Sequence, residues 1–162
     1  MTKRNTKNQK PKTSGVVFPP PFIYLGSIIA GIILNTLWTS RIFDAAYLRF
    51  IFGIIAILLA VSIFVNSFKT LARAKTPIQP YKPTLKIVKT GPYEYSRNPV
   101  YLSFSLFQIG IAFLLNNLWV LIALLPAIMA IHHGVILREE KYLEGKFGKE
   151  YTNYKSSVRR WI

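Results

Sequence analysis

Two carboxylates stand side by side at Glu139 and Glu140, in a chain of 162 residues that holds only six Asp and Glu. Well upstream, the run Gly91-Pro92-Tyr93-Glu94-Tyr95-Ser96-Arg97-Asn98-Pro99 combines turn formers, aromatic rings and one guanidinium. Asn is a strong N-cap and Pro suits the first helical position, so a helix is predicted to begin at Asn98-Pro99. Groups of these types can bind a small ligand. Carboxylates take a cationic or hydroxyl-bearing part, the free amides of a helix start take an anionic part, and aromatic rings take a flat one. A plainer reading is also open, in which Arg97 and Arg138 reach to a membrane interface and Glu139 and Glu140 are their screened partners.

Other candidates offer less. His132-His133 suggests a metal, but adjacent helical positions point about 100° apart, and no further His or Cys completes a ligand set, so no metal site is expected. Ser103 and Ser105 have no base at useful spacing and are expected to bond to helix carbonyls. The chain contains no cysteine, which removes disulfides, thiolate ligands and a nucleophilic thiol together. It has neither a phosphate-binding glycine loop nor a dinucleotide fingerprint.

The elements that must position the acidic pair are hydrophobic helices. Charged residues are absent from Thr13 to Ser40, from Phe50 to Phe68 and from Asn98 to Leu137. A bilayer core needs about 20 apolar residues per helix, so the first two blocks hold one span each and the third holds two. The expected fold is an all-α polytopic membrane protein with about four transmembrane helices: Phe22 to Trp38 behind Pro19-Pro20-Pro21, Tyr47 to Phe68, Asn98 to Leu115, and Leu118 to Leu137. Gly26, Gly31 and Gly53 are expected to permit close helix packing. The last two helices form a hairpin around Asn116-Asn117. If both rise equally per residue, positions whose numbers sum to about 233 lie at equal depth, which brings Arg97 and Asn98 within a turn of the Glu pair.

Between the second and third helices, Pro77, Pro80, Pro83 and Pro92 exclude a continuous helix from Arg73 to Pro92 and imply an extended loop that can cover something. Beyond Leu137 the apolar residues Leu143, Phe147, Tyr151, Tyr154, Val158 and Trp161 recur at intervals of three and four. That spacing predicts a C-terminal amphipathic helix at the cytoplasmic face, lying at the interface or folded back on the hairpin. Residues 1–17 are too poor in apolar groups to offset the entropy of ordering, so they are expected to be a disordered basic tail before a single domain, 18–162.

The net charge of +15 follows the same topology. With four spans, the basic stretches Lys3 to Lys12, Lys69 to Arg97 and Arg138 to Arg160 share one side, which the positive-inside rule makes cytoplasmic, along with both termini. Anionic headgroups account for these charges, and nucleic acid is not expected as a partner.

The spaced blocks Gly91 to Leu102, Arg138-Glu139-Glu140-Lys141-Tyr142-Leu143 and Phe147-Gly148-Lys149-Glu150-Tyr151 resemble the isoprenylcysteine carboxyl methyltransferase and phospholipid methyltransferase superfamily. The resemblance covers about residues 75–162; the first two helices match only as hydrophobic segments. It implies an integral membrane enzyme that uses S-adenosylmethionine to methylate a lipophilic small molecule, a carboxylate or an amine, embedded among membrane lipids. Carried over by position, it implies cofactor contacts at Gly91, Tyr93, Arg97, Asn98, Pro99, Tyr101 and Leu102, with Glu139 and Glu140 as the opposing wall and as candidate catalytic groups. A nicotinamide-dependent reductase of membrane lipids and a non-enzymatic membrane scaffold are the two rival readings.

Overall fold

The computed structural model describes residues 13–16 and 18–162, and among them every regular element is helical. The elements are α1 (Pro20–Leu37), α2 (Ala46–Arg73), a 3-10 turn (Gly91–Glu94), α3 (Pro99–Leu114), α4 (Leu118–Ile122), α5 (Leu124–Ile131), a π-helical segment (His132–Ile136), α6 (Leu137–Phe147) and α7 (Lys149–Ser157). Among the described residues, three helical passages are long and apolar enough to cross a membrane: α1, α2, and the 30-residue run Leu118–Phe147. Four were expected. The shorter α3 has 16 residues, about 24 Å at 1.5 Å per residue, against a hydrocarbon core of about 30 Å.

α1 opens with Pro20 and Pro21 in its first turn, where the missing N–H groups would have no intrahelical partner. α2 runs five residues past the expected Phe68 to Arg73, because the end of the apolar block is not the end of good helix formers. It stops where Lys75 adopts a positive φ of 53°. The Leu118–Phe147 passage breaks at Ala123, three residues before Pro126. That proline has no N–H for the carbonyl of Ile122 and crowds it. The loosened turn is compensated from α3, where the fully buried Gln108 donates to the Val120 carbonyl at 3.0 Å and accepts from Ser27 Oγ of α1 at 2.8 Å.

α2 packs along α3, and α1 packs on α4 and α5. Three glycines permit these approaches: a Cβ on Gly31 would lie 2.5 Å from Val120 Cα, one on Gly53 would lie 2.7 Å from the Leu114 side chain, and one on Gly110 would lie 2.5 Å from the Ile57 side chain. Gly26 meets nothing, so the close packing expected there is absent. Ser103 and Ser105 bond to the carbonyls of Val100 and Tyr101, as their place in an apolar helix requires. At the hairpin turn, Asn116 accepts from the amides of Ile42 and Phe43 and donates to the Phe43 carbonyl, which ties the α1–α2 connection to the α3–α4 turn.

The expected tail 1–17 lies largely outside the described residues. Its described part is docked: Val16 is buried in the cluster with Tyr24, Tyr101 and Ile131, Ser14 Oγ donates to the Pro80 carbonyl, and Arg138 donates to the Gly15 carbonyl at 3.1 Å. The single amphipathic helix expected after Leu137 is in fact two, α6 continuing the hairpin and α7 starting anew after Gly148, whose φ is 56°.

Candidate functional site

A cleft opens where the end of α2, its following connection, the start of α3 and the α6–α7 pair meet. Tyr93, Arg97, Asn98, Pro99, Tyr101, Glu139 and Glu140 all line it. Gly91 and Leu102 do not. Gly91 shapes the 3-10 turn instead, with a φ of 61° and a would-be Cβ 3.0 Å from Thr70 Oγ1. The level-depth argument from the hairpin thus brings the two distant segments to one place.

The adjacent carboxylates have different surroundings. Glu140 is buried and accepts two parallel bonds from Arg160, Nε to Oε1 at 2.8 Å and Nη2 to Oε2 at 2.9 Å. Arg97 Nη1 adds an ion pair at 3.2 Å, and Lys155 a longer one at 3.8 Å. Fork-to-fork pairing of this kind fixes both partners. Glu139 accepts one bond, from the Tyr101 hydroxyl at 2.9 Å. Glu140 is therefore a structural anchor on its present contacts, and Glu139 keeps acceptor capacity toward the cleft.

Asn98 stands at the N-cap position of α3 but makes no side-chain cap. Its Nδ2 donates to the Arg160 carbonyl at 2.9 Å, the Arg97 amide donates to the Arg159 carbonyl at 3.0 Å, and Ser96 Oγ donates to the Arg160 carbonyl at 3.4 Å. The segment after α7 is thereby strapped across the start of α3. The cap role expected of Asn98, in which Oδ1 would accept from a helix-start amide, is not made; the side chain instead serves the strap through its Nδ2 donor.

Sequence reasoning missed the aromatic wall. Tyr151 and Tyr154, assigned to an interfacial helix face, are buried and line the cleft from α7, with the Tyr154 hydroxyl donating to the Tyr93 carbonyl at 2.7 Å. Their spacing of three was visible, but not what they face. Burial pushes the Tyr151 phenol up to about 12, with Glu140 adding to the rise and Arg97 opposing it. Burial likewise raises Tyr93 and Tyr154 well above the usual phenol range, so all three remain neutral rings at physiological pH. Hydrogen bonding to Glu140 raises Arg160 above its ordinary value.

Two side chains in the cleft are incompletely paired. Arg97 is 8% exposed at its side chain, and its Nε and Nη1 make no hydrogen bond among the described residues. Thr76 Oγ1, from the connection after α2, is buried without a partner. Buried donors of this kind are rare in folded proteins and point to a ligand or water. Among the described residues no group of three His, Cys, Asp or Glu could hold a metal.

Residues 48–150 match the phospholipid methyltransferase family. The chain is also 41% identical over 63 residues to an uncharacterised protein of Haemophilus influenzae, all of which is covered by 39% of this chain. It is 40% identical over 72 residues, 44% of its length, to the protein-S-isoprenylcysteine O-methyltransferase of Saccharomyces cerevisiae. That second match spans 30% of the yeast protein.

Proposed function

The chain belongs to the phospholipid methyltransferase family, and on that premise we propose that it is a membrane enzyme that moves a methyl group from S-adenosylmethionine to a lipophilic acceptor held among membrane lipids. The observation that carries the reading is the presence, in one cleft, of a buried guanidinium whose Nε makes no hydrogen bond among the described residues and a carboxylate with spare acceptor capacity.

The cofactor's groups fit these residues. Arg97 Nε makes no hydrogen bond among the described residues, while Nη1 is ion-paired with Glu140 at 3.2 Å; the Nε edge suits the carboxylate of the amino-acid half. Glu139 suits its ammonium by a charge-assisted bond. The neutral rings of Tyr93, Tyr151 and Tyr154 suit a sulfonium, since an aromatic face attracts a cation. Asn98, Pro99 and Tyr101 complete the wall at the start of α3, and the Tyr101 hydroxyl holds the Glu139 carboxylate in place.

The chemistry supplied by the cofactor is an activated methyl, which leaves a neutral thioether once the S–CH3 bond is exchanged for an O–CH3 or N–CH3 bond on the acceptor. The protein's part is orientation and exclusion of water. A carboxylate acceptor needs no base. An amine acceptor must lose a proton, and of the two glutamates Glu139 is the one able to receive it, because Glu140 is engaged by two guanidinium groups. The acceptor would enter sideways from the bilayer.

Protein purified in detergent and given S-adenosylmethionine labelled in its methyl group should transfer label to material extracted into organic solvent from a membrane lipid fraction. S-adenosylhomocysteine at a hundredfold excess over its dissociation constant should raise stability by about 2.7 kcal/mol. Stabilisation by a reduced nicotinamide nucleotide in its place, with no transfer, would overturn the assignment.

A further inference from the structure

We infer that Thr76 is a contact for the nucleoside half of the cofactor, and that the connection after α2 forms the wall against which the base lies. This rests on the function proposed above and extends it to residues outside the sequence blocks that suggested that function.

Thr76 is 7% exposed and lines the cleft, yet its hydroxyl has no partner. Neighbouring hydroxyls on α2 behave otherwise: Ser67 bonds to the Ile63 carbonyl and Thr70 to the Asn66 carbonyl. Thr76 has left the helix. Its amide donates to the Leu71 carbonyl at 3.0 Å, just after the reversal at Lys75, so the backbone that carries the hydroxyl is held in place. A buried hydroxyl held this way has an unmet bond that a ligand can complete.

Its neighbours say which part of a ligand. On the side of Thr76 the cleft is lined by Leu71 and, from the connection, by Pro77, Ile78, Thr84, Lys86, Ile87 and Val88, whereas the buried ion pair belongs to the start of α3 and to α6. The cleft therefore has one mostly apolar wall, with two threonines and Lys86 as its single charge, and one wall with Arg97, Glu139 and Glu140. A ligand that is ionic at one end and flat, neutral and hydrogen-bonding at the other matches this division. A purine fits the apolar side, because a threonine hydroxyl can donate to a ring nitrogen or accept from an exocyclic amine. The wall is also held in place, by Ser14 at the Pro80 carbonyl and by Lys146 at the Thr84 carbonyl.

The test compares parent, Thr76→Val, Thr76→Ser and Glu139→Gln for calorimetric binding of S-adenosylhomocysteine, and for displacement of that ligand by 5′-methylthioadenosine, which keeps the nucleoside and lacks the amino-acid half. Thr76→Val should weaken both ligands by the same factor, about three- to tenfold, as expected for one neutral hydrogen bond. Thr76→Ser should bind like the parent. Glu139→Gln should weaken S-adenosylhomocysteine and leave the nucleoside fragment unaffected. The inference is overturned if Thr76→Val binds both ligands normally, if Thr76→Ser loses as much as Thr76→Val, or if 5′-methylthioadenosine fails to compete with the parent. A parent that binds no S-adenosylhomocysteine would instead overturn the function on which the inference rests.

Discussion

At the scale of single residues, Glu139 and Glu140 are chemically identical neighbours assigned different tasks by what reaches them. Glu140 meets Arg97, Arg160 and Lys155 with its side chain 8% exposed; Glu139 accepts from the Tyr101 hydroxyl. Removing one member of a buried ion pair leaves the others uncompensated, so Glu140→Gln is expected to destabilise the protein by about 3 kcal/mol, read as a lower unfolding midpoint in detergent. Glu139→Gln should leave the melting curve nearly unchanged and weaken S-adenosylhomocysteine binding roughly ten- to a hundredfold, the size of a lost charge-assisted bond. The control is Glu150→Gln: that carboxylate is half exposed and pairs only with Lys89 at 3.6 Å, so neither measurement should move. The adjacency of the pair was legible in the sequence because acidic residues are so few. The difference between them was not, since it depends on Arg160, and Thr76 was invisible because burial of one hydroxyl in a loop leaves no periodic trace.

Between elements, the contacts that decide the arrangement are close approaches of backbone. Gly31→Ala would drive a methyl to within 2.5 Å of Val120 Cα, a backbone atom that cannot rotate away. A loss of about 1 to 3 kcal/mol is expected, the usual cost of overpacking. Gly26→Ala meets only open space and should be neutral or stabilising by up to about 1 kcal/mol through helix propensity. Thermal unfolding of the two variants in one detergent checks the contrast, and equal midpoints would remove Gly31 from the α1–α4 contact. Helix starts and the hairpin turn were readable from proline and asparagine positions, and all four helical segments start within two residues of where they were expected, although the second runs on to Arg73 and the fourth, broken at Ala123, to Phe147. The π-helical segment at His132–Ile136 was not readable, because no residue type there demands it. The division of the C-terminal helix at Gly148 was overlooked although the glycine was in view: the regular apolar spacing continued across it.

For the whole molecule, the cleft lies at the end of α2, the start of α3 and the α6–α7 pair, beside the basic stretches Lys69 to Arg97 and Arg138 to Arg160, and this end is the one assigned to the cytoplasm if α3 crosses the bilayer despite its 16 residues. The prediction is that both termini lie on that side. Tags at each end, tested for protease access in sealed vesicles, should be cut together or protected together; opposite behaviour would reduce the crossings to three. The order in which the chain is made adds a further consequence. Asn98 and the Arg160 carbonyl that it holds are 62 residues apart. At about 5 to 20 residues per second of synthesis, Asn98 waits roughly 3 to 12 s for its partner to be made. Glu140 follows Arg97 by 43 residues, so the guanidinium meets that carboxylate before the strap is made. The ribosome therefore delivers the helices first and the finished cleft last, and a nascent chain halted before Arg160 should be inserted in the membrane yet unable to retain ligand.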